Sequence, residues 1–340
     1  MMITVNDTPS KAEWEQGILA FTEANFLQSY NWGVFHERLG KKVIRCVCTD
    51  GSKVIGMVSG VVENARRGRY LAVAGGPLID WHNKNSVEAV FRELRKKALE
   101  ENCVFIRFRP QVTATHVSAK VLRKLSALEA PMHLTADLTL QLDLTLSDET
   151  LLSDMRKNTR SAIRKAERVG ITTQLVEDVE SIRQFYDEEK KVAERQGFVP
   201  FSYDFLRNQF EVFLADKQVC LVRSFSKEGA LLASAFVIFY NNEAVYHYGI
   251  STDANQKLPG SYACQWRAIA EAKRRKCTRY NFWGVAPKEA TKHRFAGVSL
   301  FKRGFGGFEV PYLEAHDIPL SWRYWVTFLF EFFRKKYRHL

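Results

Sequence analysis

The run Val219-Cys220-Leu221-Val222-Arg223-Ser224-Phe225, followed by Ala230 to Tyr240 and by Ala244-Val245-Tyr246-His247-Tyr248-Gly249-Ile250, decides the fold. These stretches are dense in β-branched and aromatic residues and read as consecutive strands. A helix follows from about Ser261 to Arg275, with Ala263, Trp266, Ile269, Ala270 and Lys273 at helical spacing, and then the short strand Arg279–Phe282. The same order appears earlier in the chain. Val43–Thr49, Val54–Glu63 and Arg69–Gly75 read as strands, with turns at Asp50-Gly51 and near Gly68. A helix comes next, with Ser86 as expected N-cap and Val87, Val90, Phe91, Leu94 and Ala98 on one face; then Val104–Phe108 forms a strand stopped by Pro110. Two copies of one α/β unit result. The expected class is α/β (α+β), with mixed sheets flanked by helices. The domains are placed at residues 1–145 and 146–340, joined around Leu138–Leu142 and Ser147-Asp148-Glu149.

Two segments stand outside the repeat. Leu151–Arg168 reads as one helix with Leu152, Met155, Thr159, Ala162, Ile163 and Ala166 inward. It sets Arg156, Arg160, Arg164 and Arg168 in a slowly drifting row. Ser321–Leu340 reads as a helix rich in Trp and Phe that ends in Arg334-Lys335-Lys336-Tyr337-Arg338. The row offers phosphate contacts to RNA or a nucleotide; the plainer alternative is a solvated face. The terminal helix could lie at a lipid interface or pack its aromatic face on the body.

Across 340 residues, 50 Lys and Arg stand against 38 Asp and Glu, a net charge of +12, which favours polyanionic partners. No stretch is long and apolar enough to span a membrane, and the start has no basic region followed by an apolar one, so a cytoplasmic protein is expected. The six cysteines, at 46, 48, 103, 220, 264 and 277, form no C-x-x-C knuckle and read as reduced, buried thiols rather than metal ligands. P-loop, zincin, nucleophile-elbow and dinucleotide-binding motifs are all missing from the sequence. The chemistry expected is therefore group transfer between positioned substrates. In Phe301-Lys302-Arg303-Gly304-Phe305-Gly306-Gly307-Phe308, glycines permit close backbone approach to a ligand and a lysine can stabilise an oxyanion. The same stretch also reads as a twisted, bulged strand. Alternation sets Tyr246 and Tyr248 on one strand face.

Taken in order, several stretches resemble the FemABX family. They are Leu27-Gln28-Ser29-Tyr30-Asn31-Trp32-Gly33, Arg67-Gly68-Arg69-Tyr70 with Gly75-Gly76-Pro77, Lys157 to Ala166, Tyr246-His247-Tyr248-Gly249, Gln265-Trp266, Ala272-Lys273, Tyr280-Asn281-Phe282-Trp283-Gly284 and Gly297-Val298 to Gly307. They span nearly the whole chain. The resemblance implies two tandem GNAT-like domains, here without the long helical-hairpin arm of some members. It implies transfer of an amino acid from aminoacyl-tRNA to the stem peptide of a peptidoglycan precursor, either lipid II or the UDP-linked muropeptide. No cofactor and no metal are then needed, because aminoacyl-tRNA is the co-substrate, and the enzyme would act as a monomer.

By the same resemblance Lys302 is the catalytic lysine and Phe301 helps to position it. Tyr203 and Tyr248 hold the acceptor, and Trp32, His36, Gly304 and Gly306 are counted with the substrate-binding residues. Three positions depart from the family pattern. His36 stands where some members have Lys, Val199 where some have Arg, and Arg109 where some carry an acidic residue proposed as a base. Arg156, Arg160 and Arg164 are the substitute phosphate contacts this sequence offers. Two alternatives stay open: an acyl-CoA-dependent N-acyltransferase, and a non-catalytic RNA- or membrane-binding protein. Against the former, the nearest pyrophosphate loop, Gln256-Lys257-Leu258-Pro259-Gly260-Ser261, has its glycine one residue late and a proline without an amide donor.

Overall fold

The computed structural model describes residues 3–66, 68–290 and 293–338; Arg67 of the second matching stretch lies outside them. The strands form an eight-stranded and a seven-stranded sheet. The chain divides into two units, Met1–Asp137 with Pro311–Leu340, and Leu138–Val310.

The first unit runs β1 (Ile3–Asn6), α1 (Lys11–Ile18), α2 (Tyr30–Arg38), β2 (Val43–Asp50), β3 (Lys53–Ala65), β4 (Gly68–Gly75), β5 (Leu78–Ile79), α3 (Lys84–Glu100), β6 (Phe105–Pro110), α4 (Ala119–Lys124) and β7 (Leu128–Glu129). The second runs β8 (Leu138–Asp143), α5 (Asp148–Asp154), α6 (Lys157–Arg168), β9 (Thr172–Val176), α7 (Ser181–Gln196), α8 (Tyr203–Leu214), β10 (Val219–Phe225), β11 (Leu231–Tyr240), β12 (Glu243–Ser251), α9 (Gly260–Arg274), β13 (Arg279–Gly284), α10 (Ala296–Arg303) and β14 (Phe308–Pro311). The chain then closes with β15 (His316–Pro319) and α11 (Tyr324–Arg338).

The repeat is as expected. In each unit an antiparallel meander (β2-β3-β4 and β10-β11-β12) is followed by a helix, α3 or α9, and a strand parallel to the meander's last one, β6 or β13. Among the described residues the longest helix, α3, has 17 residues, so none of them forms a long helical arm. Each unit has its own apolar core. Phe91, Leu94, Ile106 and Phe108 lie at the centre of one; Val237, Ile269, Tyr280 and Phe282 lie at the centre of the other. All six cysteines are buried, unpaired thiols.

Four local expectations change. α3 starts at Lys84, because Asn83 accepts the Asn85 and Ser86 N–H groups at 3.1 Å; Ser86 itself is inside the helix. α9 turns Cys264, Ala268, Ile269 and Ala272 inward, a face rotated by about one residue from the expected one, and its small side chains let the helix lie close to β10 and β11. The expected Leu151–Arg168 helix is broken at Met155 and Arg156, whose backbones are extended and where the Arg156 N–H donates to Gly304 O at 2.9 Å.

The fourth change is the domain boundary. β8 pairs with β13 in the second sheet, so that unit begins at Leu138, while residues 311–340 return to the first. β15 adds antiparallel to β6, and Tyr324 of α11 packs on Phe105 at 5.3 Å. Beneath them Arg107 donates two 2.7 Å bonds to Asp317 and one to Glu331, and Tyr324 OH donates to Asp317 at 3.3 Å. Arg107→Leu would strand Asp317 as an unpaired buried charge. It should cost about 3–5 kcal/mol, read as a lower urea midpoint for the first unit.

Candidate active site

The second unit's parallel pair comes apart. β4 and β6 of the first unit stay paired from Tyr70↔Phe105 to Gly75↔Pro110, whereas β12 and β13 pair only from Glu243↔Arg279 to Val245↔Asn281. Two local devices end that ladder. On β12, Tyr246 faces Val237 and Tyr248 faces Phe236, so His247 is an extra, bulged residue. On β13, Asn281 faces Gln141 and Gly284 faces Thr139, so β13 also holds one residue too many. Trp283 there adopts φ +63°, a left-handed conformation that costs a non-glycine residue about 1–2 kcal/mol. Asn281 holds the kink. Its Oδ1 accepts the Trp283 N–H at 2.8 Å, and its amide donates to buried Glu243 at 2.9 Å.

Lys302 sits at the mouth of this split. It is 7% exposed, and its Nζ donates to Gly284 O at 2.7 Å, just past the kink. Its ammonium lies 5.8 Å from the centroid of the Tyr246 ring. Burial pulls its pKa down to about 7. α10 is clamped to the segment after β13 on both sides of the lysine: Ser299 Oγ accepts the Ala286 N–H at 2.8 Å, and Arg303 donates to Ala286 O and to Glu309, each at 2.6 Å. Phe301 packs on Tyr262 and Phe305 at 5.1 and 5.3 Å and seats the helix.

The glycines anchor that helix. A Cβ on Gly304 would lie 2.4 Å from Thr159 Oγ1; on Gly306, at φ +82°, it would lie 2.9 Å from Asp154 O. Both let the loop after α10 press on the α5–α6 break. The close approach expected of them is to the protein's own backbone and side chains.

The bulge overturns one expectation. Because His247 is extra, Tyr246 and Tyr248 point to opposite faces. Tyr246 meets Phe282 in the core beneath α9, while Tyr248 meets Phe201 and Phe236 beneath α7 and α8. Tyr203 begins α8 on that second face, with the Arg183 guanidinium stacked 3.7 Å over its ring. Glu189 and Gln209 lie buried there too. Sequence reading missed them, although Ile182, Phe185, Glu189 and Ala193 fall on one helical stripe that puts a carboxylate among apolar neighbours. His247 and Trp283 face each other across the split at 5.9 Å.

The arginine row is dispersed. Arg160 turns its guanidinium back to cap the end of α5, donating to Ser153 O at 2.8 Å and to Met155 O. Arg156 precedes α6, and Arg164 and Arg168 are exposed. Trp32 and His36 belong to the first unit, where Trp32 packs on Phe26 and His36 at 5.5 and 4.9 Å. Burial, aided by Lys41, pulls His36 to about 3, so it is a neutral imidazole and not a phosphate-binding cation. Gln28 of the same stretch is a brace: its amide donates to Ser59 O and Ala74 O and accepts the Ser59 N–H, at 2.7–2.9 Å.

The two α/β units have the tandem GNAT-like fold. The structure matches a tandem GNAT protein from the clavulanic acid biosynthesis pathway with a TM-score of 0.60 at 11% identity, over 94% of this chain and 98% of that one. It matches FemX with a TM-score of 0.85 at 16% identity, over 97% and 100%. In sequence, the aminoacyltransferase FemA of Staphylococcus epidermidis is 22% identical over 335 residues, covering 74% of this chain and 80% of FemA. The FemAB family model matches residues 10–228 and 219–327. The chain belongs to the FemAB family.

The buried lysine gives the site a measurable signature. Lys302 binds its proton less tightly in the fold, near 7, than in the unfolded chain, at 10.5. Between those values the unfolded state holds more protons, so stability rises with pH, and the cost of burying the ammonium is fully present below about 7. Lys302→Met should therefore raise the melting temperature most below pH 7, and the gain should fade towards pH 10.5.

Proposed function

We propose that this chain is the aminoacyltransferase that moves an amino acid from aminoacyl-tRNA to an amine on the stem peptide of a peptidoglycan precursor, lipid-linked or nucleotide-linked, in building the interpeptide bridge. The observation that carries the reading is a buried lysine bonded to the Gly284 carbonyl at the open end of the β12–β13 ladder. The amine nitrogen attacks the ester carbonyl that joins the amino acid to the tRNA 3′ end. An oxyanion develops there, and the bond to the tRNA oxygen then breaks. Lys302 spends one of its three N–H groups on Gly284 and keeps two for the oxyanion, already desolvated and oriented. The phosphates of an arriving tRNA favour its charged form. In this reading an amine held beside Tyr203 and Tyr248 reaches across the split to a carbonyl on the Lys302 side.

The acyl-CoA alternative needs free amides at the start of α9. There the Ser261 N–H already donates to Asn255 Oδ1 at 2.9 Å, and a Cβ on Gly260 would lie 2.4 Å from Leu232. The Ser261 amide is already taken by the protein itself and Gly260 is closely packed, which favours the tRNA-borne donor.

The purified protein, a pool of charged tRNAs and either lipid II or the UDP-linked muropeptide should give an acceptor heavier by one amino-acid residue. Lys302→Met should lower kcat by about 10²–10³-fold. An unchanged acceptor mass with intact charged tRNA would reject the function.

α11 supplies a membrane contact in this reading. It buries Tyr324 in the first unit but exposes Trp325, Val326, Leu329, Phe332 and Phe333 beside Arg334, Lys335 and Lys336. Apolar residues flanked by cations suit an anionic lipid surface. Among the described residues no helix is long and apolar enough to cross a membrane. Leu329→Ser with Phe333→Ser, at positions 52% and 63% exposed, should abolish sedimentation with phosphatidylglycerol vesicles and leave the melting temperature unchanged.

A further inference from the structure

We propose that Glu189 takes the proton that the acceptor's ammonium must lose before its nitrogen can attack the ester. The proposal rests on the function above and assigns a role that the sequence left empty. At the position where some relatives carry an acid, this chain has Arg109. It is a buried guanidinium in the first unit that donates to Ala136 O, 4.5 Å from the Tyr312 ring centroid, and it cannot accept a proton.

The other buried carboxylates of the second unit are engaged. Glu243 holds Arg279 and Asn281, and Glu271 holds Arg274 and Arg275. Glu189 is different. It is 8% exposed on the inner stripe of α7, and among the described residues its Oε2 has no hydrogen-bond partner. Gln209 of α8 is 0% exposed, and its amide reaches towards the Tyr248 phenol without closing a well-formed bond. Both act on Tyr248, the residue expected to hold the acceptor. A buried polar group left unpaired costs about 1–3 kcal/mol. Two beside one phenol, walled by Phe185, Phe210 and Phe236, suit a polar guest present only during turnover.

The titratable neighbours leave the carboxylate uncompensated. On β12, burial keeps the Tyr248 phenol un-ionised and the His247 imidazole neutral. On α8, Gln209 is uncharged and Tyr203 lies under Arg183. On α7 itself, Lys190 turns to the Tyr186 ring at 5.7 Å. Desolvation alone pushes Glu189 up to about 7, in the range useful to a proton acceptor at neutral pH.

The step balances. The ammonium gives one proton to the carboxylate, leaving a neutral amine and a neutral acid. The amine nitrogen forms the C–N bond, the C–O bond to the tRNA breaks, and the departing oxygen takes the second proton from that nitrogen. Glu189 then returns its proton to water.

The test is the pH profile of kcat/KM for the wild type and Glu189→Gln, with charged tRNA and whichever of lipid II or the UDP-linked muropeptide the wild type uses. The wild type should lose activity on the acid side of about pH 7. Glu189→Gln should be about 10²–10⁴-fold slower at pH 7. Its deficit should shrink roughly tenfold per pH unit above that, as water replaces the missing base for an amine of pKa near 10. Glu189→Asp should keep the wild-type acid limb at a reduced rate, and it serves if the glutamine variant fails to fold. A glutamine variant slower by one factor at every pH, or as fast as the wild type, would overturn the proposal. A wild type inactive with both acceptors would overturn the function itself and the proposal with it.

Discussion

The early end of the β12–β13 ladder is the constraint on which the site depends. A parallel pair held by backbone hydrogen bonds along its full length has no opening, and the first unit's β4–β6 pair is of that kind. In the second unit three registers form and then each strand carries one residue too many. Neither bulge costs little. Trp283 sits in a left-handed conformation, and backbone groups of both strands lose ladder partners. Asn281 meets part of that cost by turning one side chain into two bonds, to Glu243 and to the Trp283 amide. The Gly284 carbonyl freed by the kink meets the rest, since it becomes the acceptor that fixes Lys302.

That last bond joins the fold's defect to its chemistry. A lysine buried without a carboxylate partner is unfavourable in its charged form, which is why burial lowers its pKa so far. Stability alone would favour a carboxylate beside it. A carboxylate would neutralise the charge that an oxyanion needs, whereas a carbonyl orients the ammonium and leaves its charge unspent. The surroundings follow from that choice. Ser299 and Arg303 pin α10 to the segment after β13, and Gly304 and Gly306 let the next loop press against Thr159 and Asp154. These contacts hold the helix and its lysine against the segment after β13.

The architecture was legible because it is written in periodicity. Strand runs, the α3 stripe and their recurrence in order need only hydrophobic pattern and turn chemistry. What escaped were effects of one residue or one distant contact. No local signal announces that His247 will bulge, yet the bulge sends Tyr246 and Tyr248 to opposite faces. The helical pattern of Leu151–Arg168 was real, but the Gly304 carbonyl, far along the chain, captures the Arg156 amide and splits it. The return of residues 311–340 to the first unit rests on a three-residue ion cluster contributed by β6, β15 and α11. Lys302 was singled out through family likeness, whereas its setting rests on contacts that no local pattern announces. Glu189 was hidden in plain composition: in Asp187-Glu188-Glu189-Lys190-Lys191 it looks like one more solvated charge, and only its phase on the apolar stripe sets it apart.

In the proposed reaction the two faces of the split separate the two substrates. The Tyr246 face is aromatic and thiol-lined, closed by α9, and carries a cation at its mouth; that is a place for a carbonyl about to become an anion. The Tyr248 face holds phenols, an amide and an unpaired carboxyl; that is a place for an ammonium about to become an amine. Opposite charges placed on opposite faces cannot quench one another through a direct ion pair, as they would if regular alternation had kept both tyrosines on one side. In the proposed reaction the single extra residue at His247 therefore keeps Lys302 and Glu189 on different faces of one small unit, each for a different reactant.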